Sequence, residues 1–210
     1  GQEGSACCGN NVCGNGMLCS KGICVAETFK ESSKTEQKAV KVIHYVKWDA
    51  SGSNSGIGWN NAFTDLQTAL KNASEDDEIW VAAGTYYPAS DDDRYSSFDL
   101  VEGVSVYGCF DGSENSLDER DCDNNETVLS GDIGIPNEIS DNSYHVVTGA
   151  DNAVLDGFTI SYGNADGKTI NSMFGGGMLN NNTNPEVSNC VFKHNFAVYG
   201  GAMFNFKNRG

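Results

Sequence analysis

The clearest scarcity in this chain of 210 residues is proline, of which there are three against 25 glycines. So few prolines exclude stiff proline-rich linkers and collagen-like repeats, whereas abundant glycine favours many tight turns. The chain also lacks any apolar run of the roughly 18 residues that a membrane-spanning helix needs. No signal peptide is visible at Gly1, so we expect that an exported form has already lost its targeting signal.

Basic residues are scarce as well. Lysine and arginine total 13 against 29 aspartates and glutamates, which gives a formal net charge of -16. Such a chain repels a phosphate backbone, and nucleic acid is therefore excluded as a partner. The acidity fits the solubility of a secreted or surface protein, with calcium binding or a cationic partner as alternatives.

Five of the eight cysteines crowd into the first 24 residues and alternate with glycines. They are Cys7, Cys8, Cys13, Cys19 and Cys24. This density predicts a disulfide knot over residues 1–25 in an oxidising compartment. A zinc site is the alternative, but the segment has no C-x2-C pair and no nearby histidine. Because five is odd, one thiol pairs elsewhere, stays free or has a partner upstream of Gly1.

The segment after the knot, residues 26–41, is polar and lacks apolar periodicity, which is typical of a linker or strap. A second unit begins with the apolar alternation of Val42 to Val46, which predicts a strand. Apolar residues at helical spacing then predict one helix over residues 61–72. They are Phe63, Leu66, Ala69 and Leu70. From there onward the chain predicts short strands and no further helix.

An internal repeat dominates the rest of the chain. The segment Phe174 to Asn180 aligns with Tyr199 to Asn205 at a spacing of 25 residues, with aromatic, glycine, methionine and asparagine positions coinciding. A second alignment, of Leu155 to Ile160 with Val187 to Phe192, has a spacing of 32 residues. A polar insertion of seven residues near 166–173 accounts for the difference.

A repeat this short cannot bury its apolar face alone, so successive coils must stack. Glycine pairs suit the corners of such coils, and equivalent asparagines can form amide ladders. The pattern lacks the leucine and asparagine consensus of leucine-rich repeats, and propeller blades are longer. The sequence therefore predicts an all-β parallel β-helix, with a cap and first coils over 42–132 and coils of about 25 residues over 133–210.

The repeat motif also resembles a known family. The glycine pairs and the segment Phe192 to Asn195 are similar to the GGA[I/L/V] and FxxN motifs of chlamydial polymorphic outer-membrane-protein repeats. The motif residues are Gly176, Gly177, Gly200, Gly201, Phe192 and Asn195. Residues 45–132 resemble the opening segment of bacterial right-handed parallel β-helix surface proteins. The resemblance implies a right-handed coil, but such proteins include adhesins, fibres and carbohydrate-active enzymes alike.

One position departs from that family. Where a second glycine usually follows Gly108, this chain has Cys109, and Cys122 lies 13 residues further on. In an oxidised protein these two predict a loop-closing disulfide. Cys190 aligns with the apolar Phe158, which favours a buried free thiol instead.

Residues that suggest chemistry are few and scattered. Asp91, Asp92 and Asp93 are weak candidates for Ca²⁺, and a solvated loop is the alternative. A lyase would need a base, and the repeat region offers an unconnected set: Lys168, Lys193, His194, Lys207 and Arg209. A hydrolase would need two facing carboxylates, for which the repeat region offers Asp156, Asp166 and Glu186.

The remaining candidates have structural explanations. The three histidines are His44, His145 and His194, and none belongs to a local triad or metal pattern. The three tryptophans are Trp48, Trp59 and Trp80, which suggest either a sugar-stacking platform or packing of the cap. Three sequons would accept glycans in a suitable source, at Asn72, Asn125 and Asn181.

We therefore expect an extracellular or cell-surface structural or adhesive protein without an enzymatic site. Its C-terminal segment shows no cap, which suggests continuation in a longer chain or self-association end to end into a fibre. The alternative is a carbohydrate-active β-helix, either a lyase or a glycoside hydrolase, or a sugar-binding module. Cell-surface glycans are then the partner, and Ca²⁺ is the one cofactor considered.

Overall fold

The computed structural model describes residues 17–20, 23–26 and 40–207. The chain divides into two compact units, residues 1–38 and 39–210. In the first unit β1 (Met17–Ser20) and β2 (Ile23–Ala26) form an antiparallel hairpin with Cys19 opposite Cys24. Cys7, Cys8 and Cys13 lie outside the described residues, and the disulfide knot stays a prediction.

The second unit consists mainly of parallel sheets, and the expectation of a β-rich fold is confirmed. Sheet 1 contains β3 (Ile43–Val46), β4 (Glu78–Ala82), β7 (Ser105–Phe110), β10 (Val154–Asp156) and β14 (Glu186–Ser188). Sheet 2 contains β5 (Gly84–Tyr86), β8 (Thr127–Ser130), β11 (Thr159–Ser161) and β15 (Val191–Lys193). Sheet 3 contains β6 (Phe98–Asp99), β9 (Val147–Thr148), β13 (Met178–Asn181) and β17 (Met203–Phe206). A fourth, two-stranded sheet joins β12 (Asn164–Ala165) to β16 (Phe196–Ala197).

The chain visits these sheets in a fixed order. Each round runs through sheet 1, sheet 2 and sheet 3, and every strand pairs in parallel with the strand of the neighbouring round. The registers reproduce both alignments of the sequence. Met178 pairs with Met203, at the spacing of 25, and Leu155 pairs with Val187, at the spacing of 32.

Equivalent inward residues of successive rounds form columns in one core. In sheet 1 the column is Ile79, Val106, Leu155 and Val187. In sheet 2 it is Tyr86, Leu129, Ile160 and Phe192. In sheet 3 it is Phe98, Val147, Met178 and Met203. The first three members of each column are buried, whereas the last is only partly buried. Each fully buried member contributes about 1.5–3 kcal/mol of hydrophobic stabilisation.

The predicted helix is shorter than its sequence pattern suggested. Helix α1 spans Leu66–Asn72, because the Asp65 carboxylate caps it by accepting from the Thr68 amide at 2.7 Å. Residues 62–65 are not helical, and Phe63 forms a bridge with Val46 instead. The helix contacts β3, β4 and β6 and buries its apolar residues in the core.

The expectation of no further helix is wrong at one place. A short helix, α2 (Ile170–Met173), lies in the predicted polar insertion and begins with a capping box between Thr169 and Ser172. Three turns of 3-10 helix are also present, at Trp59–Asn61, Leu117–Glu119 and Ile139–Asp141.

Candidate functional site

The Cys109–Cys122 disulfide is confirmed. Cys109 has a φ of 70°, in the left-handed region that favours glycine, which explains why glycine suits this position. The backbone amide of Cys109 donates to Thr127 Oγ1 at 2.9 Å, and this contact helps to hold the position in place. The disulfide attaches the loop that follows β7, through Cys122, to Cys109 on β7 itself.

Asp156, a candidate carboxylate of the sequence, is the centre of a structural network. One of its oxygens accepts from Arg120 at 2.6 Å, and the other accepts from Ser188 Oγ at 2.6 Å and Asn189 Nδ2 at 2.8 Å. Burial alone would raise the pKa of Asp156, but the bonds from Ser188, Arg120 and Asn189 outweigh it and lower the pKa. A carboxylate engaged by three donors links neighbouring rounds and is poorly placed for acid-base chemistry.

Cys190 carries a free thiol, as expected, but it is half-buried rather than buried. Its sulfur lies 3.6 Å from the Leu155 carbonyl oxygen, and burial raises the pKa of the thiol. The residue remains partly exposed because it lines an open cavity at the last round.

The three adjacent aspartates lie on an exposed loop and shape its turns. Asp91 Oδ1 accepts from the Asp93 amide at 3.3 Å, and Asp93 Oδ1 accepts from the Tyr95 amide at 3.1 Å. Across residues 40–207, no group of three or more histidine, cysteine or acidic side chains gathers as a metal site. Asp91 and Asp93 thus have turn-forming roles, and calcium binding by Asp91, Asp92 and Asp93 stays a prediction.

The structure does not bring the proposed catalytic bases and acids together. Lys193 pairs with Glu126 at 2.9 Å, and Asp166 pairs with Arg94 at 2.7 Å. The His194 ring stacks on Tyr162, with 5.4 Å between the ring centroids. Lys207 lines the open cavity, and Arg209 lies outside the described residues.

The other two histidines have structural partners. His44 Nε2 lies 3.2 Å from Asp77 Oδ2. His145 is buried between two backbone carbonyls, with Nδ1 3.0 Å from the Gly175 oxygen and Nε2 3.2 Å from the Asn171 oxygen. Burial lowers the pKa of His145, although the carbonyls act in the opposite direction.

The tryptophans do not form a shared platform. Trp59 and Trp80 pack with Tyr45 and Phe110, and the Trp80 and Phe110 rings stack at 4.8 Å between centroids. Trp48 is 60 % exposed and lies over Gly84, where a Cβ would come within 2.6 Å of its ring. The explanation by packing of the cap region therefore fits two of the three.

The sequon asparagines differ in accessibility. Asn72 and Asn181 are exposed, and Asn125 is half-buried. Asn72 Nδ2 donates to the Thr68 carbonyl at 2.7 Å. Asn181 lines a surface groove that sequence patterns did not reveal.

That groove, which we call the outer groove, lies on the outward face of sheet 3 and has a volume of about 320 Å³. It is lined by Tyr95, Ser97, Asp99, His145, Thr148, Gly149, Asn171, Leu179 and Asn181. Asp99 Oδ1 accepts from Ser97 Oγ at 2.6 Å and also from Thr148 Oγ1. Within the described residues no donor meets Asp99 Oδ2, and this oxygen is available to a ligand.

An aromatic shelf continues the outer groove towards β17. It consists of Phe174, Tyr199, Phe204 and Phe206. Phe174 stacks on Tyr199 with 5.1 Å between the ring centroids, and it packs against Phe204 in a tilted arrangement with 4.4 Å between centroids. Leu179 and Asn181 line both the outer groove and a small depression on this shelf, so the two surfaces are contiguous.

A second surface, which we call the open end, is formed by the last round. It encloses a cavity of about 750 Å³ lined by inward residues of the last strands, among them Val187, Cys190, Phe192 and Met203. Asn205 Oδ1 accepts from Asn180 Nδ2 at 2.7 Å, which is the amide ladder that the repeat predicted. Among the described residues β14, β15 and β17 each pair on one side only.

No helix in the described part of the chain is long and apolar enough to cross a membrane. Neither a family model nor a curated protein nor a solved structure matches this chain.

Proposed function

We propose that this protein is a structural or adhesive module of an extracellular or cell-surface protein, built as a right-handed parallel β-helix whose open end is covered by a second copy of the chain or by the rest of a longer chain. The fixed order in which the chain visits sheets 1, 2 and 3 supports the coil, because parallel neighbours need a connection of about a dozen residues or more and the path through the other two sheets supplies it. The Cys109–Cys122 disulfide supports an oxidising location.

Self-association is supported by the rise in side-chain exposure at the last residue of each core column. Leu155, Ile160 and Met178 are all 0 % exposed, whereas the residues that follow them in each column are half-buried and line the cavity. Covering these apolar residues removes further hydrocarbon surface from water, which contributes about 25 cal/mol per Å². The open strand edges add unpaired backbone groups that favour a partner.

The two ends of the stack are not equivalent. At β3 and β6 the core is covered by α1, which buries Leu66, Ala69 and Leu70, and Gln67 donates to the carbonyls of Pro88 and Ser97 at 2.9 and 2.7 Å. A copy docking there would meet the polar side of a helix. We therefore expect two open ends to face each other in a closed dimer rather than to build a fibre.

Sedimentation velocity of the purified chain over a wide concentration range tests this proposal. The expected result is a reversible dimer whose population rises with concentration. Met203→Lys places a charge on the open end and is expected to abolish the dimer, while Val191→Lys, on the outward side of β15 at 56 % exposure, leaves it intact. A chain that stays monomeric at the highest concentration refutes self-association. An assembly that grows beyond the dimer refutes the expectation that α1 prevents docking at the other end of the stack.

A further inference from the structure

We infer that the outer groove binds an uncharged oligosaccharide. The groove combines an acceptor-rich side with an aromatic side, and a sugar ring presents the complementary pair of surfaces, hydroxyl donors at its rim and an apolar C–H face. Its volume of about 320 Å³ lies within the range of about 300–1,000 Å³ that small-molecule sites occupy. The inference rests on the adhesive part of the proposed function and is independent of the open end.

The acceptor side centres on Asp99. Ser97 and Thr148 donate to the same oxygen of the exposed Asp99 carboxylate, and Oδ2 has no protein donor in the described structure. A sugar hydroxyl that donates to this oxygen makes a charge-assisted hydrogen bond, which is roughly twice as strong as a neutral one. The side chains of Asn171 and Asn181 supply amide groups at the same rim.

The aromatic side supplies the surface on which a sugar face stacks. Tyr95 is 65 % exposed at the rim of the groove and is held edge-on by Tyr144 at 5.0 Å between centroids. Arg94 in turn lies over the Tyr144 ring at 4.1 Å, so the pair is anchored on its far side. On the other side Leu179 leads to the shelf formed by Phe174 and its neighbours. Rigid aromatic rings provide large contact area at a small cost in conformational entropy.

The negative charge of the groove disfavours acidic glycans. Among the described residues no lysine or arginine lines the groove and Asp99 is its one carboxylate, while the whole chain carries a net charge of -16. An acidic polysaccharide would bring its own carboxylates against Asp99 without a compensating cation. The groove thus favours uncharged sugars, which is the opposite of what a polysaccharide lyase would take.

The residues that line the outer groove also favour binding of a glycan without its cleavage. Glycoside hydrolysis requires two carboxyl groups about 5–10 Å apart. Asp99 is the one carboxylate among the residues that line the outer groove, and His145 is turned to backbone carbonyls. A bound oligosaccharide is therefore expected to remain intact.

The test is isothermal titration of the full chain with uncharged oligosaccharides, namely cello-, xylo-, manno-, laminari- and chito-oligomers, beside oligogalacturonate and oligolysine. The expected result is binding to at least one uncharged series, no binding to oligogalacturonate or oligolysine, and no release of reducing ends. Asp99→Asn and Tyr95→Ala are each expected to weaken that binding about tenfold, equivalent to about 1.4 kcal/mol. The matched controls are Asp118→Asn, on an exposed turn, and Tyr87→Ala, at 49 % exposure away from the groove.

Three results overturn the inference. One is a chain that binds none of the uncharged series. Another is binding to oligogalacturonate or oligolysine alone, which would indicate an acidic glycan or a cationic peptide as the ligand. The third is binding to uncharged sugars with an affinity that neither Asp99→Asn nor Tyr95→Ala changes, which would show that the binding site lies outside the outer groove. None of these results bears on the dimer, so a failure here and a failure of self-association remain distinguishable.

Discussion

Replacing Asp156 by alanine is expected to be the most destabilising single change of a polar residue that the structure describes. The carboxylate is 8 % exposed and holds Arg120, Ser188 and Asn189, which belong to the disulfide-closed loop and to the next round. Its removal leaves the Arg120 guanidinium, at 19 % exposure, without its ion pair. Hydrogen bonds to charged groups contribute about 1.5–3 kcal/mol each, but these three share one carboxylate and are not additive.

The expected loss is about 3 kcal/mol, the lower end of the about 3–5 kcal/mol for breaking a buried ion pair, because Arg120 retains some solvent. For a chain of this size that corresponds to a fall in Tm of about 6–12 °C. Urea titration at neutral pH measures the loss as a lower midpoint at an unchanged slope. Asp118→Ala, an exposed carboxylate in the same loop, is the control and is expected to change little.

The pH dependence provides a second readout. Because the pKa of Asp156 is lowered in the folded state, its contribution is fully present above its ordinary pKa of 3.8 and is lost as the pH falls through the lower folded pKa. The gap between wild type and Asp156→Ala should therefore close on strong acidification. A loss below about 1 kcal/mol at neutral pH, or a gap that does not change with acid, would refute the role assigned to this network.

Two further perturbations follow from the same structure. Cys122→Ala opens a loop of 13 residues and is expected to lower the free energy of unfolding by about 3 kcal/mol. When both are measured in reducing buffer, wild type and variant should be equally stable. Equal stability of the two in oxidising buffer would contradict this. Because burial lowers the pKa of His145, its contribution is present above the unfolded pKa of about 6.5 and is lost as the pH falls below it. Urea midpoints at neutral and mildly acidic pH should therefore fall less for His145→Gln than for wild type, and parallel profiles would contradict the assignment.

The repeat made strand pairing predictable from sequence. Leu155, Phe158 and Ile160 recur as Val187, Cys190 and Phe192, and parallel pairing places each residue beside its equivalent in the next round. The insertion was also located correctly as a break in that period. Its short helix was missed because four residues between polar caps carry too little apolar periodicity to register as a helix.

The outer groove was not predictable in the same way. The alternation of Phe98, Asp99 and Leu100 indicates that Asp99 points outward, but nothing in the sequence pairs it with Thr148, which lies 49 residues away. Both residues belong to rounds before the clear repeat begins, so no alignment connects them. Asn181 is notable in the sequence only as a sequon, and it joins the groove because the register of β13 with β9 places Leu179, two residues before it on the same strand, beside Thr148.

The outer groove and the open end are formed by the outward and the inward side chains of the same strands. On β13, Met178 points into the core and Leu179 points to the outer groove, because successive side chains alternate across a strand. Inward positions must stay apolar to fill the columns, and this constraint gives the open end its hydrophobic character at Met203. Outward positions carry no such constraint, so Asp99 and Tyr95 are free to differ from round to round. In the proposed dimer the contact between copies is therefore made by interior residues, whereas the proposed ligand site uses outward residues.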